Sequence, residues 1–128
     1  MPKLNSRNKG ANGEREAARW LTDKFNLERL LIRNLEQTRS GGHDLNGFQP
    51  FAFEIKRSQT LDKRNWWLQA VNSCTQEYNI PIVMYRQNNN PWRFLVSAKN
   101  IGLTKGYIQL EEREFVLWIN KIIVDPHT

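Results

Sequence analysis

Residues 51–56, Phe-Ala-Phe-Glu-Ile-Lys, are the segment that most constrains how this chain can fold. Apolar residues at every second position predict a β-strand, whose strongly hydrophobic face consists of Phe51, Phe53 and Ile55. The opposite face carries Ala52, Glu54 and Lys56. Because charged side chains are rarely buried without a partner or a function, Glu54 and Lys56 indicate more than a structural strand.

A helix predicted at residues 14–25 directs another charged residue toward the core. Its apolar stripe has helical spacing and consists of Ala17, Ala18, Leu21 and Phe25. At about 100° per residue, Glu14 falls near the centre of that stripe. The helix therefore presents a carboxylate where an amphipathic helix ordinarily has an apolar residue.

The other segments alternate between strands and helices and predict a single α/β domain. Further strands are expected at residues 29–33, from 43–45 onward, at 80–86 and at 92–98, and further helices at 61–79 and 111–123. Asn46-Gly47 indicates a hairpin turn, and Gln49-Pro50 is a competing turn. The order αβββαββα predicts one mixed central sheet with helices on both faces.

The chain is basic. Its 128 residues include 19 Lys plus Arg against 13 Asp plus Glu, which gives a net charge of +6. This excess favours a polyanionic partner such as nucleic acid, although solvated basic faces are also common. We expect a flexible basic arm at residues 1–13, in which Lys9 contacts DNA phosphates, then the domain at 14–123 and a tail at 124–128.

The cysteine content and the apolar runs bear on the compartment. Cys74 is the only cysteine, so an intrachain disulfide cannot form, which fits a reducing compartment. No apolar run approaches the roughly 18 residues of a membrane span, and the N-terminus has no signal-peptide core. We expect no membrane contact and a cytoplasmic location, which for a phage protein is the host cytoplasm.

Four residues are candidates for an active site: Glu14, Asp44, Glu54 and Lys56. Asp44 lies beside the predicted hairpin, and Glu54 and Lys56 share a face of the returning strand. Clustered carboxylates repel each other unless a cation lies between them, and oxygen ligands favour Mg²⁺ or Mn²⁺. Such a cation can bind a phosphate oxygen and orient a water, and Lys56 would add positive charge nearby.

Aspartate followed ten positions later by Glu-x-Lys resembles the signature of the PD-(D/E)XK nucleases. Other segments resemble the archaeal-type Holliday junction resolvases within that superfamily. These segments are KGANGERE at 9–16, RSGGHDL at 39–45, FEIK at 53–56 and WRFLVS at 92–97. They stand in the family's order over about residues 9–98, and the resemblance implies a restriction-endonuclease-like fold.

The resemblance also implies roles for individual residues. The metal ligands would be Glu14, Asp44 and Glu54. Lys56 would assist the hydrolytic water, Arg15 and Arg39 would contact phosphates, and Ser40 would lie close to the site. Members of the family act as homodimers that nick two strands of a four-way junction symmetrically.

The chain departs from the family pattern in three places. The hairpin between Asp44 and Glu54 is shorter than in typical relatives, and the last 30 residues extend beyond the resemblance. The helix at 61–79 shows little likeness and contains adjacent tryptophans, Trp66 and Trp67. We expect one of them in the core and the other at an edge or against a partner subunit, with base stacking as the alternative. These differences concern the dimer interface and the junction preference more than the hydrolytic chemistry.

The helix at 61–79 and the end of the preceding strand supply further candidates. Gln69 lies one turn into the helix, where related nucleases often carry a polar residue near the metal, and a solvent-facing glutamine is the alternative. Backbone phosphates are expected to contact the basic residues Arg57, Lys63 and Arg64. His43 adjoins Asp44 and could touch metal or phosphate, or have no role in the loop.

The leading hypothesis is a Mg²⁺-dependent endodeoxyribonuclease, with Mn²⁺ able to substitute, that resolves four-way junctions as a homodimer. One alternative keeps the fold and chemistry but makes the enzyme a flap, nicking or restriction-type nuclease, including a phage-encoded one. The other alternative is a basic DNA-binding module that has lost catalysis, or an assembly factor. A complete set of Glu14, Asp44, Glu54 and Lys56 argues against lost catalysis.

Overall fold

The computed structural model describes residues 6–29, 31–33, 44–74, 76 and 79–124. In these residues the helices are α1 (Ser6–Lys24), α2 (Lys63–Ser73) and α3 (Glu112–Val124), with a short 3₁₀ helix at Ala98–Ile101. The strands are β1 (Ile32–Arg33), β2 (Leu45–Asn46), β3 (Phe51–Arg57), β4 (Ile80–Arg86), β5 (Arg93–Ser97) and β6 (Tyr107–Glu111). None of the described helices is long and apolar enough to cross a membrane.

The centre of the molecule is a four-stranded mixed sheet with the order β3-β4-β5-β6. β3 and β4 are parallel, and α2 connects them, as parallel neighbours require a crossover. The other neighbours are antiparallel, and β1 and β2 form a separate antiparallel pair. The predicted mixed α/β sheet is therefore confirmed.

Helices pack on both faces of this sheet, as predicted. On one face, α1 and α3 bury a core that includes Leu21, Phe53 and Phe115, and the rings of Phe94 and Phe115 stack with centroids 3.7 Å apart. On the other face, α2 buries both Trp66 and Trp67 against the sheet. Both tryptophans lie in the core, whereas only one of them was expected there, and their burial favours packing over base stacking.

Helix α1 begins at Ser6, so the prediction of a flexible arm is wrong for residues 6–13, and residues 1–5 lie outside the described part. Gly10 and Gly13 weaken the intrinsic helix propensity of this segment. Close packing of this segment against β3 offsets that cost. Gly13 lies so near Arg57 that a Cβ built on it would be 2.5 Å from Cγ of that residue. The glycine allows α1 to lie directly against the end of β3.

Two other boundaries differ from the prediction. The helix predicted at 61–79 is shorter, because the chain at Cys74 is extended and ends α2 there. Strand β6 was not predicted, since it is a short edge strand whose side chains are only half-buried or exposed. The closing helix is confirmed, and it starts directly after β6 at Glu112.

Candidate active site

Asp44 is fixed to the outer edge of β3 by two hydrogen bonds. Its backbone N–H donates to the carbonyl oxygen of Phe53 at 2.7 Å, and its Oδ2 accepts from the backbone N–H of Ile55 at 2.6 Å. β3 is the end strand in the order of the four-stranded sheet, so these groups lie on the side away from β4. The side chain is therefore held beside the middle of the strand that carries Glu54.

Glu54 and Lys56 share the face of β3 that looks toward α2. Glu54 is only 5% exposed, and its Oε1 lies 3.7 Å from Nζ of Lys56. The same ammonium donates to Oε1 of Gln69 on α2 at 2.8 Å. The two charges inside this strand thus have each other as partners, and Gln69 fixes the direction of the lysine.

Glu14 approaches the same place from α1. It is 8% exposed, and its Oε1 accepts a hydrogen bond from Nε of Arg33 on β1 at 2.6 Å. Its negative charge raises the pKa of both Asp44 and Glu54, so the three carboxylates are electrostatic neighbours. The helix therefore directs Glu14 inward, as its position in the apolar stripe predicts.

Two acids of this cluster, Asp44 and Glu54, have raised pKa values. Burial raises the pKa of Asp44 to about 8, and the charges of Glu54 and Glu14 add to that effect. Burial also raises the pKa of Glu54, although the neighbouring Lys56 opposes this shift. Both shifts have the sign expected when carboxylates share a poorly solvated site without enough positive charge.

A divalent cation would supply that missing charge, and the donor chemistry fits one. Carboxylate oxygens are the ligands that Mg²⁺ and Mn²⁺ prefer. Within the described residues, however, no three His, Cys, Asp or Glu side chains are grouped closely enough to hold a metal ion. The carboxylates turn toward separate protein partners instead, so their roles as metal ligands stay predictions.

The model of the family described as "Phage putative PDDEXK endonuclease" matches residues 5–125. The chain belongs to this family. It is a nuclease of the PD-(D/E)XK type, and the predicted resemblance is confirmed at that level. No relative was found among curated proteins.

The fold of this endonuclease is similar to that of Hjc, a Holliday junction resolvase from the archaeal hyperthermophile Archaeoglobus fulgidus. The TM-score is 0.52 at 18% identity, and the match covers 84% of this chain and 93% of Hjc. At this identity the likeness concerns the fold, and it confirms the restriction-endonuclease-like architecture.

The other predicted site residues of the endonuclease lie in different surroundings. Arg15 is exposed and donates to Oδ1 of Asn12, and Arg64 is also exposed. Nζ of Lys63 lies 5.8 Å from the ring centroid of Tyr85. Contacts of these residues with DNA stay predictions. Outside the described part are Arg39, Ser40, His43 and the side chain of Lys9.

Arg57 was predicted to contact a phosphate, but in the endonuclease it has a protein partner. Its Nε donates to Oε2 of Glu16 at 3.0 Å, and its side chain is only 18% exposed. A contact with DNA stays a prediction for this residue.

Two residues near the carboxylates were missed at the sequence level. Arg33 binds Glu14, and Glu16 binds two arginines from the ends of β3 and β4. The available signal for Arg33 was a charge at the end of an apolar strand. Glu16 gave no comparable signal, because an acid early in a helix is equally well explained by the helix dipole.

Proposed function

We propose that the protein is a Mg²⁺-dependent endodeoxyribonuclease that cleaves branched DNA, with the four-way junction as its preferred substrate. The observation that carries this proposal is the buried carboxylate of Asp44, held against the edge of β3, next to the strand that carries buried Glu54 and Lys56. Membership of a PD-(D/E)XK endonuclease family supports the nuclease chemistry. The fold shared with an archaeal Holliday junction resolvase supports the choice of branched DNA.

In the proposed mechanism, Asp44, Glu54 and Glu14 would hold the cation. When bound, Mg²⁺ supplies Lewis-acid stabilisation of negative charge on the phosphodiester, and Mn²⁺ would substitute for it. Binding of the ion favours the ionised forms of Asp44 and Glu54, whose pKa values are raised in its absence.

Lys56 has two tasks in this proposal. Its ammonium, fixed by Gln69 and Glu54, donates a hydrogen bond to the attacking water and places positive charge next to the scissile phosphate. In-line attack by water then leaves a 5′-phosphate and a 3′-hydroxyl. The net charge of +6 supports binding of the DNA backbone, and exposed Arg15 and Arg64 are suitable contacts.

A homodimer completes the proposal for a junction substrate. Two copies related by a two-fold axis would each present one site, so that two strands of a four-way junction are cut symmetrically. The phage family supports action in the cytoplasm of the host cell. Sedimentation at the protein concentration of the assay measures the dimer directly.

The decisive experiment is cleavage of end-labelled four-way junction, flap, nicked and linear duplex DNA in Mg²⁺, in Mn²⁺ and in EDTA. We expect symmetrical nicks in the junction with either metal and none in EDTA. Asp44→Asn and Glu54→Gln should abolish cleavage while junction binding is kept. Asp23→Asn and Glu28→Gln are matched controls, because both residues are exposed, and they should cleave normally.

Each part of the proposal can fail separately. Cleavage of linear duplex as fast as of the junction would replace the resolvase by a restriction-type or nicking nuclease. Cleavage by Asp44→Asn at the wild-type rate would show that the site is wrong. No hydrolysis of any substrate with either metal would favour a DNA-binding module.

A further inference from the structure

Glu16 joins the two parallel strands of the sheet to helix α1. Its Oε2 accepts from Nε of Arg57 at 3.0 Å, and its Oε1 accepts from Nη1 of Arg86 at 2.8 Å. Arg57 and Arg86 are register partners at the ends of β3 and β4. Like charges at paired positions repel each other, so the carboxylate between them removes an unfavourable contact.

Both arginines of this cluster are held by further contacts. The Arg57 side chain lies under Gly13, and its Nη1 is buried with no hydrogen-bond partner among the residues that the structure describes. Arg86 donates from Nε to the carbonyl oxygen of Asn90 at 2.7 Å, and its guanidinium lies 6.0 Å from the ring centroid of Trp92. The arginines therefore provide a fixed anchor for Glu16.

The position of Glu16 connects this anchor to the active site. Glu14 and Glu16 are two residues apart on α1, so their side chains leave the helix about 200° apart. Glu14 binds Arg33 of β1, whereas Glu16 binds the ends of β3 and β4. The helix is thus attached on two sides, by Glu14 to β1 and by Glu16 to the ends of β3 and β4.

Hydrophobic contacts alone do not fix this part of the helix. The first fully buried apolar side chain of α1 in the described residues is Ala17, which follows both glutamates. The glycines before Glu14 supply no side chain to pack. Ion pairs at the surface are ordinarily weak, but here one carboxylate engages two partly buried arginines with short, charge-assisted bonds.

We propose that Glu16 is a positioning residue, which fixes the first turns of α1 so that Glu14 stays beside Asp44 and Glu54. This inference rests on the proposed metal-dependent nuclease. Glu16 itself would not touch metal or DNA. Residues that orient metal ligands typically change metal affinity by about 10–100-fold when they are replaced.

The test compares Glu16→Gln with the double variant Glu16→Gln/Arg86→Gln. Glu111→Gln is the matched control, because Glu111 also pairs with an arginine but lies 3.9 Å from Arg93 on the opposite edge of the sheet. Three quantities are measured at a temperature where every variant is folded: the Kd for Mn²⁺ by electron paramagnetic resonance, kcat and KM for the junction, and the unfolding temperature.

We expect Glu16→Gln to raise the Kd for Mn²⁺ about tenfold or more and to lower kcat at fixed metal concentration. KM for DNA should stay within about twofold, since the DNA-binding surface is unchanged. The double variant should bind Mn²⁺ about as weakly as Glu16→Gln, because both substitutions break the same contact between α1 and β4. Additive losses of Mn²⁺ affinity would contradict a role for this contact.

Wild-type Mn²⁺ affinity in Glu16→Gln would overturn the inference and leave the proposed function intact. A raised KM for DNA with unchanged Mn²⁺ affinity would also overturn it, since the cluster would then belong to the DNA interface. If the wild-type protein itself neither bound Mn²⁺ nor cleaved DNA, the proposed function would fail first and the inference with it.

Discussion

Replacing Asp44 by asparagine should stabilise the metal-free protein at neutral pH, because it removes a buried acid. Asparagine keeps a side-chain oxygen that can accept from the N–H of Ile55. The pKa of Asp44 is about 8 in the folded protein, against an ordinary value of 3.8. Between these values the folded chain keeps a proton that the unfolded chain has released, so stability falls as pH rises.

The magnitude follows from the number of protons involved. One proton taken up on folding changes the free energy of unfolding by about 1.4 kcal/mol per pH unit. Between about pH 5 and pH 7, Asp44→Asn should therefore gain up to about 3 kcal/mol relative to the wild type. The contribution of protonated Asp44 to the free energy of unfolding is present in full below its ordinary pKa of 3.8. This contribution is lost as the pH rises toward 8.

Urea unfolding at these two pH values in EDTA measures the effect, with Asp23→Asn as the exposed control. The advantage of Asp44→Asn should be larger near pH 7 than near pH 5, by up to about 3 kcal/mol. Added Mg²⁺ should reverse the order, since an ion that binds only the folded wild type stabilises it by mass action. An advantage that does not change with pH would refute the raised pKa of this carboxyl group.

Two further predictions concern helix α1 and the lysine of the site. Gly13→Ala should lower the free energy of unfolding by roughly 1–3 kcal/mol, because the new Cβ would lie 2.5 Å from Cγ of Arg57. Gly10→Ala is the matched control in the same helix, because the space around Gly10 is open. This variant should raise the free energy of unfolding in urea by about 1 kcal/mol. Equal effects of the two substitutions would contradict the packing argument. Gln69→Ala should lower kcat by about tenfold with KM unchanged, because Nζ of Lys56 loses its hydrogen-bond acceptor at 2.8 Å. Unchanged cleavage would show that Lys56 does not need Gln69 to fix its direction.

Strand β3 could be predicted in full, because alternation of large apolar residues is a local signal. The inward position of Glu14 was also predictable from helical spacing. The ion pair of Glu14 with Arg33 was not, since it joins residues 19 positions apart through the packing of α1. The start of α1 at Ser6 was not predictable for the same reason. The glycine at position 13 disfavours a helix locally, and its close contact with Arg57 is apparent only in the folded chain.

The separate pairing of the three carboxylates was likewise beyond the sequence. Residue types and spacing predict that Glu14, Asp44 and Glu54 meet, and the charge of Glu14 does raise the pKa of Asp44 and of Glu54. Which partner each side chain takes depends on the positions of Arg33, Lys56 and the N–H of Ile55, which only the fold defines.

The attachment of Asp44 to β3 also bears on the solubility of the chain. An outer strand with unpaired N–H and C=O groups is a template for pairing with another molecule. Asp44 occupies the N–H of Ile55 and the carbonyl of Phe53 on that side, in a strand whose first five residues are buried. The carboxylate that we propose as a metal ligand thus also shields an outer edge of the sheet from pairing with another chain.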